Sequence, residues 1–337
     1  MKKLPIFPVI DNFNSLYKDH LKYYEATWLT AHNAFASKAE GWLLYNQQHL
    51  SLEQMFYYGV RSFMIDVHYS DKILSLCHAG CTLSFFQKGS SVSSLLSYLN
   101  RIKKILDNQS DAIITLHLED HSRNSTDIIN TFELSGLKPM LLEDNPNNDN
   151  ITLGFLREKN TRLIVFSDYQ KERIGKDFKE KAGIFPTTFY KETVFGHTSF
   201  KFCEERINDF RASYNKTDIK LLVHNHFSKI SIGSHNEINS YQKIANTVNP
   251  CILNGLYPNF ITVDFVEDGN FGGARRIVED LMLISNENHN IADSANFFSV
   301  KLKKLYQCVQ KLFFEGTDNV ELLGNSSIVV DSENNEL

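Results

Sequence analysis

The sequence predicts an α/β fold: a (β/α) TIM-like barrel, irregular or incompletely closed, with a C-terminal helical appendage. Three observations predict it. Short apolar runs alternate with helix-like stretches, a pattern that calls for parallel strands joined by right-handed crossovers. Polar residues end strand after strand, which is how a barrel gathers one site from many strands. The glycine-rich phosphate loops of an open doubly wound sheet, G-x-G-x-x-G or G-x-x-x-x-G-K, are missing.

The elements follow in order. Residues 1–26 read as an N-terminal leader, 27–285 as the barrel, and 286–337 as an amphipathic helix with a flexible tail. The expected strands are "TWLTAH", "VRSFMIDVHY", "KILSLCH", "DAIITLHLED", "TRLIVFSD", "KLLVHNH" and "NFITVDF". Each is apolar, β-branched or aromatic, and most end in polar residues. Leu52 to Tyr58, "VSSLLSYLNRIKKILDN" and "EINSYQKIANTVNPCIL" carry helical patterns, while the asparagine-rich "LEDNPNNDN" and "SNENHNIADS" are loops. In the appendage, Phe298, Leu302, Leu305, Val309 and Leu312 recur at three and four. That face suits a helix packed on the barrel, or one docked on a membrane surface by its lysines.

Composition narrows the function. A hydrophobic fraction of 42% with 25 phenylalanines is ample for a packed core, and a net charge of −5 argues against general nucleic-acid binding. "MKKLPIFPVIDNF" opens with lysines, but its apolar run holds two prolines and stops at Asp11, so no classical signal peptide is expected. No segment has the roughly 18 uninterrupted apolar residues of a membrane span. The five cysteines are odd in number and lack metal-type pairing. Reduced thiols, a monomer, and a cytoplasmic location or export by a non-classical route are the expectation.

Side chains alternate across a strand, so Asp66 shares a face with His68, His117 with Glu119 and His121, and His224 with His226. If those faces turn inward, a mouth forms from His32, Asn33, Asp66, His78, Glu119 and Asp264. Cys77, beside His78, then points the other way and reads as a small buried hydrophobe rather than a nucleophile.

The ordered series "AHNAFAS", "GVRSFMIDVHY", "LCHAGCTLS" and "DAIITLHLEDHS", followed by "LLVHNHFS" and "YPNFITVDFVEDGNF", resembles the X region of the phosphatidylinositol-specific phospholipase C superfamily from about Thr27 to Ile284. The resemblance implies a barrel that cleaves phosphodiesters with two histidines, and His32 and His78 match them. A base must take a proton from the attacking hydroxyl and an acid must give one to the departing alkoxide, on opposite sides of phosphorus. Imidazole titrates where it can do either. Asp264 resembles the aspartate that supports the first histidine; its other reading is a helix N-cap.

Calcium-dependent members of that family use an asparagine after the first histidine and carboxylates on the next strands. Asn33, Asp66 and Glu119 match those places, but Met64 stands where another carboxylate belongs. The resemblance therefore implies a divalent cation, Ca²⁺ or else Mg²⁺, held by a reduced ligand set. Metal-independent members have an aspartate after the first histidine and an arginine on phosphate, and this chain has Asn33 and Asp66 there instead. Arg61, five residues before Asp66, stays a candidate substrate contact with His117, Asn225 and His226. The implied partner is a phospholipid or related phosphodiester, with peripheral membrane contact. Two other classes compete. Met64 suits a catalytically weak head-group-binding module, and the many histidines suit an amidohydrolase-like barrel, although such enzymes carry H-x-H on the first strand, where this chain has His32-Asn33.

Overall fold

The computed structural model of the chain describes residues 13–42, 46–70, 73–77, 81, 94–122, 124–168, 183–194, 219–228, 235–253 and 255–288. Among these residues nine strands form one sheet: β1 (Trp28–Ala31), β2 (Ser62–Ser70), β3 (Ile73–Leu76), β4 (Ile114–Asp120), β5 (Leu163–Ser167), β6 (Ile184–Pro186), β7 (Tyr190–Glu192), β8 (Leu221–Asn225) and β9 (Phe260–Val263). Their order is β6-β5-β4-β2-β1-β9-β8-β7, and every pairing along that path is parallel. The two ends of the path, β6 and β7, are separated only by the 3-10 turn Thr187–Phe189. A chain reaches about 3.3 Å per residue at most. The sheet therefore curls until its ends nearly meet, and the run 184–192 serves β5 first and β8 afterwards.

Two features differ from the sequence reading. "KILSLCH" gives β3, but it pairs antiparallel with β2 (Tyr69↔Leu74, Ser70↔Ile73), because Asp71 and Lys72 alone cannot make the crossover that parallel strands need. The thiols are not all reduced: Cys77 and Cys81 form a disulfide, their Cα atoms 5.0 Å apart.

The helices form where the pattern places them. Leu52–Tyr58 opens on a capping box in which Ser51 and Gln54 exchange side-chain and backbone bonds. Leu95–Asn108 starts on the Ser94 cap and buries Leu95, Tyr98, Leu99, Ile102, Ile105 and Leu106 along one face. Tyr241–Leu253 follows β8 and Gly273–Asn288 follows β9 in sequence. Residues of the expected leader belong to the packed body: Tyr23 reaches into the barrel to bond Thr115 Oγ1 at 2.7 Å, and Tyr17 stacks on Trp28 at 4.6 Å. The helix expected at 298–312 and the tail lie outside the described residues. Among the described residues no helix is long and apolar enough to cross a membrane.

The barrel interior is aromatic. Phe260 meets His117 at 4.8 Å and Phe166 at 6.3 Å, while Tyr190 meets Phe166 at 5.2 Å. Such pairs contribute about 0.5–1.5 kcal/mol each beyond area burial. They fix which residues face inward. From Phe260 the alternation carries Thr262 and Asp264 inward, and through the register Trp28↔Phe260 it carries Thr30 and His32 with them.

Candidate functional site

β1 and β9 run side by side to Ala31↔Val263, so the residues after them emerge together. His32 Nδ1 lies 2.8 Å from Asp264 Oδ1. Both side chains are largely buried, 15% and 6% exposed. The His32 amide donates to Val263 O at 3.0 Å, and the next residue, Asn33, takes a left-handed φ of 43° that asparagine tolerates better than most. Ala34 N then donates to Met64 O at 2.9 Å, laying this turn along β2.

Side chains from other segments brace the pair. Gln48 Nε2 donates to His32 O at 2.8 Å and to Val263 O at 3.2 Å, and Gln48 Oε1 accepts from Val266 N at 3.1 Å. Asn239 Nδ2 donates to Asp264 O at 2.6 Å. Phe227 stacks on the His32 ring with centroids 3.7 Å apart. An aspartate accepting from Nδ1–H leaves the lone pair on Nε2, the arrangement of a general base. The helix-cap reading of Asp264 fails, since the next α-helix begins at Gly273.

The flank of β2, β4 and β5 is acidic. Asp66 and Glu119 are paired across β2 and β4, and Asp168 follows β5, its carboxylate accepting from Asp120 N at 2.6 Å. Burial pushes the Asp66 carboxyl well above the usual carboxylate range, and the charges of Glu119 and Asp168 push the same way. Burial likewise lifts Asp168 to about 6, with Glu119 adding to it. Glu119 is exposed and pairs with His121 Nε2 at 3.0 Å, and the His121 ring stacks on His68 at 4.5 Å.

The residues present fit a hard cation in one respect. Asn33 and Asp66 are 2% and 5% exposed, yet among the described residues neither side chain makes a hydrogen bond. Neither side chain is among the fully sealed, unpartnered ones, so both stay open to a cation at the mouth, with Glu119 able to swing in from solvent. Met64 offers that ion nothing and packs against the core.

Several expected residues lie elsewhere. Arg61 is at the opposite end of β2 from the mouth, where its guanidinium donates to Phe56 O, Val60 O and Asn14 Oδ1 and covers the Phe56 ring; it closes a helix end. His117 faces inward but one layer below the mouth, bonded to Ser62 Oγ at 3.1 Å and held neutral by burial, which lowers its pKa to about 3. His226 faces outward: it and His224 both contact Thr247 of the helix Tyr241–Leu253, at 3.2 and 2.9 Å. Burial lowers them to about 4 and about 3. Asn225 faces inward and donates to Glu192 Oε1 and Thr193 O, leaving its buried Oδ1 without a partner among the described residues. His78 lies outside the described residues.

Three site residues were not singled out from sequence. Asp168 was visible as the polar end of "TRLIVFSD", and Phe227 as the next inward position after Asn225. Gln48 left no signal, because its role depends on a loop crossing the mouth.

With that geometry established, comparison with known proteins is direct. The sequence profile of the PI-PLC X 1 family matches residues 20–279. No curated protein matches the chain. Among solved structures, the phosphatidylinositol-specific phospholipase C from Listeria monocytogenes is similar at a TM-score of 0.50 and 15% identity, over 81% of this chain and 97% of that one. A Staphylococcus aureus phosphatidylinositol-specific phospholipase C, solved in a study of its membrane binding, gives a TM-score of 0.45 and 16% identity, over 81% and 96%. The Listeria likeness shows the fold; the profile, spanning β1 to β9 and the His32–Asp264 pair between them, shows that this chain belongs to the PI-PLC X family.

Proposed function

We propose that the protein cleaves a phospholipid or related phosphodiester in the phospholipase C manner. The observation that carries this reading is the 2.8 Å bond from His32 Nδ1 to Asp264, which among the described residues leaves Nε2 without a hydrogen-bond partner at the mouth of the barrel. Nε2 takes the proton of the attacking hydroxyl as its oxygen bonds phosphorus. The bond from phosphorus to the leaving alkoxide breaks, and His78 returns a proton to that oxygen. If the nucleophile is a hydroxyl of the head group, the product is a cyclic phosphate; if it is water, the product is a phosphomonoester. Asp264 holds the tautomer and stabilises the imidazolium that forms.

Asn33, Asp66 and Glu119 would hold a divalent cation, Ca²⁺ by preference for oxygen ligands, which when bound supplies positive charge to the phosphate. The substrate reading brings with it contact with a lipid surface. Met64, in place of a carboxylate, favours a second reading as a head-group-binding module with little turnover. Hydrolysis of a chromogenic inositol phosphodiester separates the two. His32→Ala and His78→Ala should each reduce it by about 10²-fold or more with the fold intact. Turnover untouched by both substitutions would remove the two-histidine mechanism, and no turnover in the unsubstituted protein would favour the binding module.

A further inference from the structure

The turn after Asp264 meets segment 46–50, and three side chains able to ligate a cation converge there. His49 Nδ1 lies 2.9 Å from Glu267 Oε1. His49, Glu267 and Asp268 each offer a ligand atom, and these atoms all lie within 4.8 Å of one another. Among the described residues no other three His, Cys, Asp or Glu side chains are gathered so closely, those of the acidic flank included.

Hydrogen bonding does not explain the cluster. His49 satisfies one oxygen of Glu267; the other, Oε2, is fully buried and has no partner among the described residues. Among the described residues the Asp268 carboxylate makes no hydrogen bond or ion pair. The nearby helix supplies Arg275 and Arg276, but these pair with Glu279 and Asp280. A buried carboxylate oxygen beside a second carboxylate is stabilised by a bound cation.

We propose that His49, Glu267 and Asp268 bind a first-row divalent cation such as Zn²⁺. One imidazole and two carboxylates suit that class, whereas Ca²⁺ and Mg²⁺ favour oxygen alone. The ion would clamp together the two segments that hold the dyad. Gln48, next to His49, spans His32 O, Val263 O and Val266 N. Phe265, between Asp264 and the ligands, donates its amide to Gln47 O at 2.8 Å and holds a left-handed φ of 47°. Its ring is flanked by His49 at 4.5 Å and His235 at 4.0 Å. A cation there fixes the turn that presents Asp264 to His32. It is a positioning site.

Metal binding to the full chain tests this without reference to activity, so the result stands apart from the phospholipase reading. Chelator-stripped protein is titrated with Co²⁺, read by its visible bands, and with Zn²⁺ in competition. The expected result is a tight equivalent weakened about 10-fold or more by His49→Ala and by Asp268→Asn, since each removes one ligand of three, and unchanged by Glu119→Gln. Zn²⁺ should raise the Tm of the unsubstituted protein and not of His49→Ala. Should His49→Ala fail to fold, Asp268→Asn decides, because its carboxylate carries no bond that the fold needs. Absence of binding at millimolar Zn²⁺, binding indifferent to both substitutions, or binding lost only with Glu119→Gln would each overturn the proposal.

Discussion

The Phe227 ring lies flat against the His32 imidazole, centroids 3.7 Å apart and planes 8° from parallel. The Asp264 bond fixes the imidazole within its plane, and Phe227 fixes the plane itself. Phe227→Leu should keep the barrel folded and lower kcat by about 10-fold, less than the ~10²-fold cost of moving a catalytic group by 1 Å. Phe227→Tyr should retain the rate. Steady-state kinetics on the chromogenic phosphodiester reads both, and an unchanged kcat in Phe227→Leu would leave the stack without a catalytic role.

Asp264→Asn keeps the shape of the side chain but removes the charge that faces Nδ1. The amide can present its NH₂ instead and invert the tautomer, which in a serine hydrolase triad costs about 10⁴ in rate. A large fall in kcat with an unchanged Tm is expected. An active variant would mean that another group orients His32.

The acidic flank gives a prediction about metal. Glu119→Gln removes a charged oxygen and should weaken Ca²⁺ binding and activity together, while Met64→Glu should tighten Ca²⁺ by restoring a ligand. Calorimetric titration of both variants decides. Full turnover in excess chelator would place this chain with the metal-independent members of its family.

His224 and His226 predict a pH dependence of stability. Burial holds them neutral, with pKa values of about 3 and about 4 against about 6.5 in an unfolded chain, and Lys243 adds to the shift at His226. Between those values the unfolded state binds more protons, so their stabilising contribution is complete above about pH 6.5 and is lost as pH falls toward 4, by roughly 1 kcal/mol per pH unit for each. Asp168, raised to about 6, acts in the opposite direction over the lower part of that window. His224→Gln should therefore flatten the drop in the urea midpoint between pH 7 and pH 5. If the two proteins show identical slopes, the imidazoles are not the cause.

The strands that build the site were legible because apolar runs with polar ends are long enough to stand out: β1, β4, β5, β8 and β9 all lie within runs read from sequence, and β2 runs one residue past its own. β6 and β7, three residues each, are too short to show a period. Alternation assigned His224 and His226 to one face correctly but could not say which, and Thr247 on the neighbouring helix shows that it is the outer one. Arg61 misled for a related reason. A residue that begins a parallel strand lies at the end away from the mouth, and its task there is to satisfy Phe56 O and Val60 O. The His32–Asp264 pair was reached through family resemblance rather than periodicity, since nothing local ties residues 232 positions apart.

That separation governs when the protein becomes whole. During synthesis the β1 segment emerges early, but its partner on one side, β9, is among the last described elements to be made. Until then that side of β1 has no strand to satisfy its backbone, an open edge of the kind that invites pairing with other chains. The same event that seals this edge delivers Asp264 to His32. A nascent chain, or one cut before β9, is thus both open along this edge and without the carboxylate that His32 bonds.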